Sequence, residues 1–279
     1  MLLRCIILIF FLIVPETYLL AQKSLIVKTN RTRTISATTQ SLLVDTLIME
    51  DNSTLILGPD VDFFNLIAKY ARIGRNTKII SQKTLDGNPG STGKNGVSAQ
   101  RNESCKEGGA GENGGNGIDG VDGADIYLFL RIKSIESLTI VSTGGNGGNG
   151  GNGGNGGVGS NASASGINIC LEKPGGLGGM GGNGGNGGNG GNIIVNYTFI
   201  DDNGDFLQSQ PQLNQVSIVN MAGNGGLGGE GGTQGATGNS MLGDKNKSKG
   251  ISIIKANRGT TGRNGKNGFY LKTNIKQNF

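Results

Sequence analysis

The chain is short of the residues on which enzymes most often depend. Its 279 residues include no histidine and no tryptophan. Because histidine is the commonest general base, and neither Cys105 nor Cys170 has an obvious base beside it, we expect no catalytic site. No phosphate-binding loop, zinc-ligand spacing or esterase motif is present, so we also expect no cofactor. The sequence therefore predicts a protein that is not an enzyme.

Aromatic residues and proline are scarce as well, and this limits the fold. Aromatic residues make up 5% of the chain, so a conventional core must be small and backbone hydrogen bonds must supply much of the cohesion. Five prolines are too few for a collagen triple helix.

Long hydrophobic runs are absent except near the amino terminus. An apolar run over residues 5–14 follows Arg4 and leads to a Leu-Leu-Ala sequence that ends at residue 21. This pattern predicts a signal peptide over residues 1–21, and the run is too short for a membrane anchor. We expect a secreted or cell-surface protein with no membrane span. The net charge of +5 fits attraction to an anionic surface, and we expect no nucleic-acid partner.

Glycine, by contrast, is abundant, with 54 residues that recur in triplets. The triplets are clearest in two tracts, whose scaffold residues are Gly144, Asn146, Gly147, Asn149, Gly150, Asn152, Gly153 and Asn155 in the first and Asn183, Asn186 and Asn189 in the second. A period of three predicts left-handed polyglycine-II helices, in which bare glycine stripes let neighbouring backbones bond and Asn faces solvent.

Six segments share this period, and we number them first to sixth: 87–96, 108–123, 144–159, 175–191, 223–238 and 259–268. Gly-rich sequence is also typical of flexible linkers. The similar lengths of four segments, and their alternation with β-branched runs, favour order. Segments with glycine at two of three positions (the third, the fourth and the start of the fifth) are predicted at the centre, and the first and sixth at the edges.

The rest of the chain has strand character. Residues 22–86 are β-rich and predict a β-solenoid-like or β-sandwich base. Beyond them the order strand, glycine segment, loop, glycine segment, strand occurs three times. The predicted fold class is all-β or irregular, with this base followed over residues 87–279 by a six-segment polyglycine-II helix bundle arranged as three antiparallel hairpins rooted in strands.

Three loops would lie at the far ends of these hairpins, over residues 97–107, 160–174 and 239–258. We call them the first, second and third tip loops. Cys105 lies in the first and Cys170 in the second, which predicts a disulfide between the tips. Because binding residues concentrate on loops of rigid scaffolds, the loops are the candidate binding site. Its candidate residues are Arg101, Lys106, Ile167, Ile169, Lys245, Lys247, Lys249 and Lys255. The alternative is a small apolar tip core with a solvated rim of lysines.

One stretch partly matches a calcium-binding repeat. The sequence GGNGIDGVD at 114–122 offers Asp119 and Asp122 as weak metal-ligand candidates, although tandem copies are missing. We favour a solvated acidic edge.

The GGNGGNGG tracts and the GNPG sequence at 87–90 resemble known polyglycine-II bundle proteins. Those proteins are the glycine-rich distal tail-fibre adhesins of T-even-like phages and snow flea antifreeze protein, and the glycine-rich domain of the anaplastic lymphoma kinase receptor is similar. The resemblance covers residues 87–268 and implies the fold more than the function.

We therefore expect a non-enzymatic binding or adhesion module that presents variable tip loops to a surface ligand, protein or glycan. Two alternatives stay open. One is ice binding by a flat face, which thermal hysteresis would reveal, and the other is a passive surface or matrix spacer, which would have no ligand.

Overall fold

We describe the protein from a computed structural model, over residues 19–36, 41–83, 85–165, 167–240 and 254–275. Most of the predicted signal peptide, residues 1–18, lies outside these ranges. Its last three residues, 19–21, belong to the first strand.

Thirteen strands make up the regular structure of the described residues. A six-stranded sheet contains, in spatial order, β1 (Leu19–Val27), β3 (Ser41–Met49), β5 (Phe63–Ile73), β7 (Asp125–Ile135), β11 (Ile193–Phe199) and β13 (Tyr270–Asn274). A five-stranded sheet contains β12 (Val216–Val219), β8 (Leu138–Val141), β6 (Thr77–Ser81), β4 (Thr54–Leu57) and β2 (Thr32–Ile35). A small antiparallel hairpin consists of β9 (Ser163–Ser165) and β10 (Asn168–Cys170).

The chain alternates between the two large sheets, and all neighbouring strands in both are parallel. This is the path of a two-sided β-solenoid. Alternate residues of each strand point inward, as the alternating burial of β3 and β7 shows. The parallel register stacks apolar residues of successive coils in columns. One column contains Leu42, Leu66, Leu128 and Val195, which are all buried.

Asparagine shapes the turns on one side of the first three coils. Asn30, Asn52 and Asn76 all have positive φ, between 53° and 57°, which Asn tolerates better than most residues. Their turns bond to one another: the Asn30 amide donates to the Asp51 carbonyl, and Asn76 Nδ2 donates to Asn52 Oδ1 at 3.0 Å. Each of these three coils therefore makes the same kind of turn.

The glycine segments enter at the opposite corner. In the first two coils this corner is a short link, but in the last three a pair of glycine segments joins the five-stranded sheet to the six-stranded sheet. The first, third and fifth segments lie side by side and follow β6, β8 and β12 in the chain. The second, fourth and sixth also lie side by side, and they lead into β7, β11 and β13.

Backbone hydrogen bonds join these segments by a constant rule. Gly147 donates to the Asn224 carbonyl of a parallel neighbour, and Gly148 donates to the Ile118 carbonyl of an antiparallel neighbour, both at 2.8 Å. Repeating the rule every three residues gives the third and fourth segments four neighbours each. The first and sixth have two neighbours each, which matches the predicted central and edge positions.

The predicted fold class is wrong. The described residues contain no helix, so no polyglycine-II helix bundle stands on a separate base. The regular structure consists mainly of two parallel sheets that extend to β13, and the glycine segments, which have no regular secondary structure, are inserted between their strands. The all-β part of the prediction fits in part. A β-sandwich does not, because such sandwiches are built from antiparallel sheets.

Candidate binding end of the glycine segments

The first and second tip loops are tied together. Cys105 and Cys170 form the predicted disulfide, with 5.5 Å between their Cα atoms. Backbone contacts reinforce it: the Ser160 amide donates to the Lys106 carbonyl at 2.9 Å, and the Lys106 amide donates to Ser160 Oγ at 3.0 Å. The disulfide prediction is confirmed, and it is compatible with an oxidising extracellular environment.

The second tip loop folds into the hairpin of β9 and β10. Ile169 lies in β10, with Ile167 just before this strand and Leu171 just after it. All three side chains are apolar and lie in solvent, since their exposed fractions are 98%, 72% and 70%. Cys170, between Ile169 and Leu171, is buried. We call these three side chains the tip face.

A cavity of about 460 Å³ lies where the first and second tip loops meet. Its lining is mostly polar, and it includes Arg101, Glu103, Ser104, Val158, Asn161 and Ser163. The Oγ atoms of Ser104 and Ser163 are 2.8 Å apart and join the two loops across it. The cavity and the tip face belong to the same end of the molecule.

Two charged groups of the first tip loop form an ion pair. Lys106 Nζ lies 2.7 Å from Glu103 Oε1. The Gln100 amide donates to Glu103, and this bond, together with Lys106, holds the Glu103 pKa below its ordinary value. Of the candidate residues in the first loop, Lys106 therefore makes an ion pair within the loop, and Arg101 lines the cavity.

The third tip loop lies largely outside the described residues, and with it the candidates Lys245, Lys247 and Lys249. Lys255 is described, and it pairs with Thr233 of the fifth segment in an isolated bridge. Its Nζ atom contacts Glu230 Oε2 at 2.7 Å, and the same carboxylate lies 3.3 Å from Arg258 Nε. These cations hold the Glu230 pKa below its ordinary value. In the structure Lys255 is thus held in an ion pair with the fifth glycine segment.

The alternative of a small tip core is not seen among the described apolar residues of this end. Val158, Ile167, Ile169, Leu177 and Met180 are all exposed. Sequence reasoning named Ile167 and Ile169 as binding candidates and missed Leu171. The alternation of Ile, Ile and Leu at every second position from 167 was the signal that would have found it.

The asparagine stripes have a role that the sequence did not reveal. As expected they face solvent, and in addition their Oδ1 atoms accept hydrogen bonds from backbone amides of the adjacent parallel segment. Asn149 accepts from Leu227 at 2.8 Å, and Asn186 accepts from Arg263 at 2.9 Å. The amide at the third position of a triplet, which the glycine bonds leave free, is satisfied in this way.

The two weak metal candidates belong to this ladder. Asp119 and Asp122 accept from the amides of Asn186 and Asn189, both at 2.6 Å. Within the described ranges no group of three or more acidic or cysteine side chains is arranged to hold a metal ion. In the same ranges, no helix is long and apolar enough to cross a membrane.

Comparisons with known proteins found little. No family model matches the chain, and no curated protein matches it. Among solved structures, the chain is similar to the springtail antifreeze protein from Granisotoma rainieri, a nine polyproline type II helical bundle whose crystal waters match the ice lattice. The identity is 19%, the match covers 67% of this chain and 94% of that one, and the TM-score is 0.09. At that score the likeness carries no argument about fold or function.

Proposed function

We propose that the protein is a secreted or cell-surface, non-enzymatic binding module whose tip face docks into an apolar surface of a partner protein. The observation that carries the proposal is the exposure of three aliphatic side chains, Ile167, Ile169 and Leu171, in and beside one short strand at the tip. Clustered aliphatic side chains in water are unfavourable by roughly 25 cal/mol per Å² of apolar surface, so an exposed cluster favours a partner that covers it.

The surroundings of the tip face fit an interface. Charged and polar groups, including Arg101, Glu103 and Lys106, lie in the first tip loop, which the disulfide joins to the second, and polar groups beside an apolar centre are typical of interfaces. The first and second tip loops contain no aromatic residue, so an aliphatic contact with a protein is favoured over a ring-stacking contact with another ligand.

Rigidity also favours binding at this end. The disulfide, the hairpin and the hydrogen-bonded glycine segments hold the tip face in place before a partner arrives. A preorganised surface loses less conformational entropy on binding than a flexible loop.

The test compares the oxidised protein with two variants for saturable binding to intact bacterial and animal cells, measured by flow cytometry. The tip variant combines Ile167→Ser, Ile169→Ser and Leu171→Ser. The control variant combines Ile118→Ser and Leu227→Ser, which are also exposed but lie along the glycine segments. We expect the control to bind like the parent and the tip variant to bind at least about tenfold more weakly, as loss of interface anchors does.

Equal binding by the tip variant and the parent would refute the proposal. Absence of saturable binding to every cell type would favour the spacer alternative. Thermal hysteresis of the purified protein would favour ice binding instead.

A further inference from the structure

The chain contains fourteen Asn-Gly dipeptides. In this dipeptide the glycine amide nitrogen attacks the Asn side chain more readily than in any other, because no Cβ hinders the approach. Thirteen of the fourteen lie in the glycine segments, and the other is Asn203–Gly204. These chemically identical dipeptides lie in different surroundings.

The glycine segments hold both reacting groups. In all thirteen dipeptides the glycine amide donates a hydrogen bond, at 2.7–3.1 Å. In twelve of them the Asn Oδ1 also accepts a backbone N–H from a neighbouring segment. The exception is Asn224, whose Oδ1 accepts no such bond from the described part of the chain.

Asn203 lies elsewhere, in the tight turn between Ile200 and Phe206. It is exposed, and no backbone N–H among the described residues donates to its Oδ1. Gly204 has φ of 86° and open space on its Cβ side, and its amide makes a longer bond, 3.2 Å, to the Asp201 carbonyl. Neither reacting group is locked by a second chain segment.

We propose that Asn203 is a spontaneous modification site, at which deamidation concentrates while the glycine segments protect their own asparagines. The Gly204 amide nitrogen loses its proton to hydroxide and attacks Asn203 Cγ. The N–Cγ bond forms, the Cγ–Nδ2 bond breaks, and ammonia leaves with a proton from water. Water then opens the cyclic imide at either carbonyl, which gives aspartate or isoaspartate. The only co-reactants are hydroxide and water.

The protection follows from the geometry of the ladder. For Asn149 to react, Gly150 must release the Leu227 carbonyl, and Asn149 Oδ1 must release the Leu227 amide. Both bonds reach the same neighbouring residue, so the two segments must separate locally. The reaction then proceeds only while the segments are apart, so its rate is reduced in proportion to the small fraction of time that they are open.

Modification at Asn203 has a local electrostatic consequence. The turn already carries Asp201, Asp202 and Asp205, and Lys133 pairs with Asp202. A new carboxylate at 203 adds negative charge beside this pair. An Asn203→Asp variant reproduces that charge without isoaspartate.

The experiment incubates the oxidised full-length protein at mildly alkaline pH and assigns deamidated sites by tandem mass spectrometry. We expect Asn203 to be modified at least about tenfold faster than Asn149 and Asn152, with Asn224 between them. The same incubation in guanidinium chloride is the control, and there the differences between sites should largely disappear. Hydrogen exchange gives a second readout, in which the Gly204 amide should exchange faster than that of Gly150.

An Asn203→Gln variant should remove the fast phase and leave the slow sites unchanged. Modification of Asn149 as fast as that of Asn203 in the folded protein would overturn the proposal, and so would equal rates in folded and denatured samples. The proposal does not depend on a binding partner, so its outcome is separate from that of the tip-face test.

Discussion

At the scale of single residues, most glycines here are required because a neighbouring backbone leaves no room for a Cβ atom, and not because of unusual backbone angles. Among the described glycines only Gly204 has positive φ. A Cβ on Gly150 would instead lie 2.0 Å from the Gly182 carbonyl oxygen of the neighbouring segment. Because that oxygen belongs to a hydrogen-bonded backbone, it has little freedom to move away. The glycines therefore mark the positions at which neighbouring backbones approach each other closely.

Substitutions at two of these glycines should lower the free energy of unfolding by different amounts. Gly150→Ala should lower the free energy of unfolding by about 3 kcal/mol or more, because it forces two segments apart. Gly204→Ala meets no neighbour within 4 Å, and it should cost about 1 kcal/mol for the left-handed backbone alone. Guanidinium denaturation of the two oxidised variants measures the difference. Equal costs would contradict the role assigned to Gly150.

At the scale of elements, neighbouring segments and loops matter more than any one segment. Within the described residues the glycine segments make no backbone hydrogen bonds to themselves, and their bonds run to other segments or to the strand ends and loops that adjoin them. At the tip, beyond the last repeated bonds, the disulfide joins the two loops over a separation of 65 residues. It restricts the unfolded chain and fixes the base of the hairpin that carries the tip face.

Removing the disulfide should therefore destabilise the protein and loosen the tip. For the combined Cys105→Ser and Cys170→Ser variant we expect a loss of about 4 kcal/mol in the free energy of unfolding, from the loop-closure entropy of a loop of this length. Amides of residues 99–106 should exchange faster, while those of β7 and β8 keep their protection. The parent protein under reducing conditions is the matched control and should behave like the variant. Unchanged exchange at the tip would show that hydrogen bonds alone hold the loops.

At the scale of the whole molecule, the glycine segments and the sheets form one continuous hydrogen-bonded structure. Ser142, just beyond β8, donates to the Val219 carbonyl of β12, and Gly191 donates to the Ser142 carbonyl. The same neighbours meet in the sheets and in the segments that continue them. Loss of packing between the sheets should therefore reach the glycine segments.

A core substitution tests this coupling. Ile140 is fully buried in β8, and Ile140→Ala should lower the free energy of unfolding by about 2–5 kcal/mol. We expect hydrogen exchange to speed up in the third glycine segment as well as in β8. Ile26→Ala, at a side chain that is 43% exposed in the edge strand β1, is the control and should leave the segment unchanged. Faster exchange in β8 alone would mean that the two regions unfold separately.

Sequence reasoning found the local features and missed the architecture that joins them. The strands near 138 and 216 were predicted from their β-branched residues and placed at the roots of the glycine hairpins, but their place in one parallel sheet with β2, β4 and β6 was not predicted. A β-solenoid was one of two predictions for residues 22–86, where Asn30, Asn52 and Asn76 are 22 and 24 residues apart, but its continuation was not predicted because the later coils are interrupted by long glycine insertions. At the candidate binding end, the sequence offered Ile167, Ile169 and Lys255 as candidates, but it did not predict the ion pair between Lys255 and Glu230.

What the sequence determined by itself is local. It specified where backbones approach closely, through glycine, and which cysteines pair, since Cys105 and Cys170 are the only two beyond the amino-terminal run. The tertiary structure decided which segments become neighbours, which amide each asparagine bonds, and that the tip face points into water. These outcomes depend on the register between strands as far apart in the chain as β6 and β8. That register is set by packing between the two sheets, which no single segment contains.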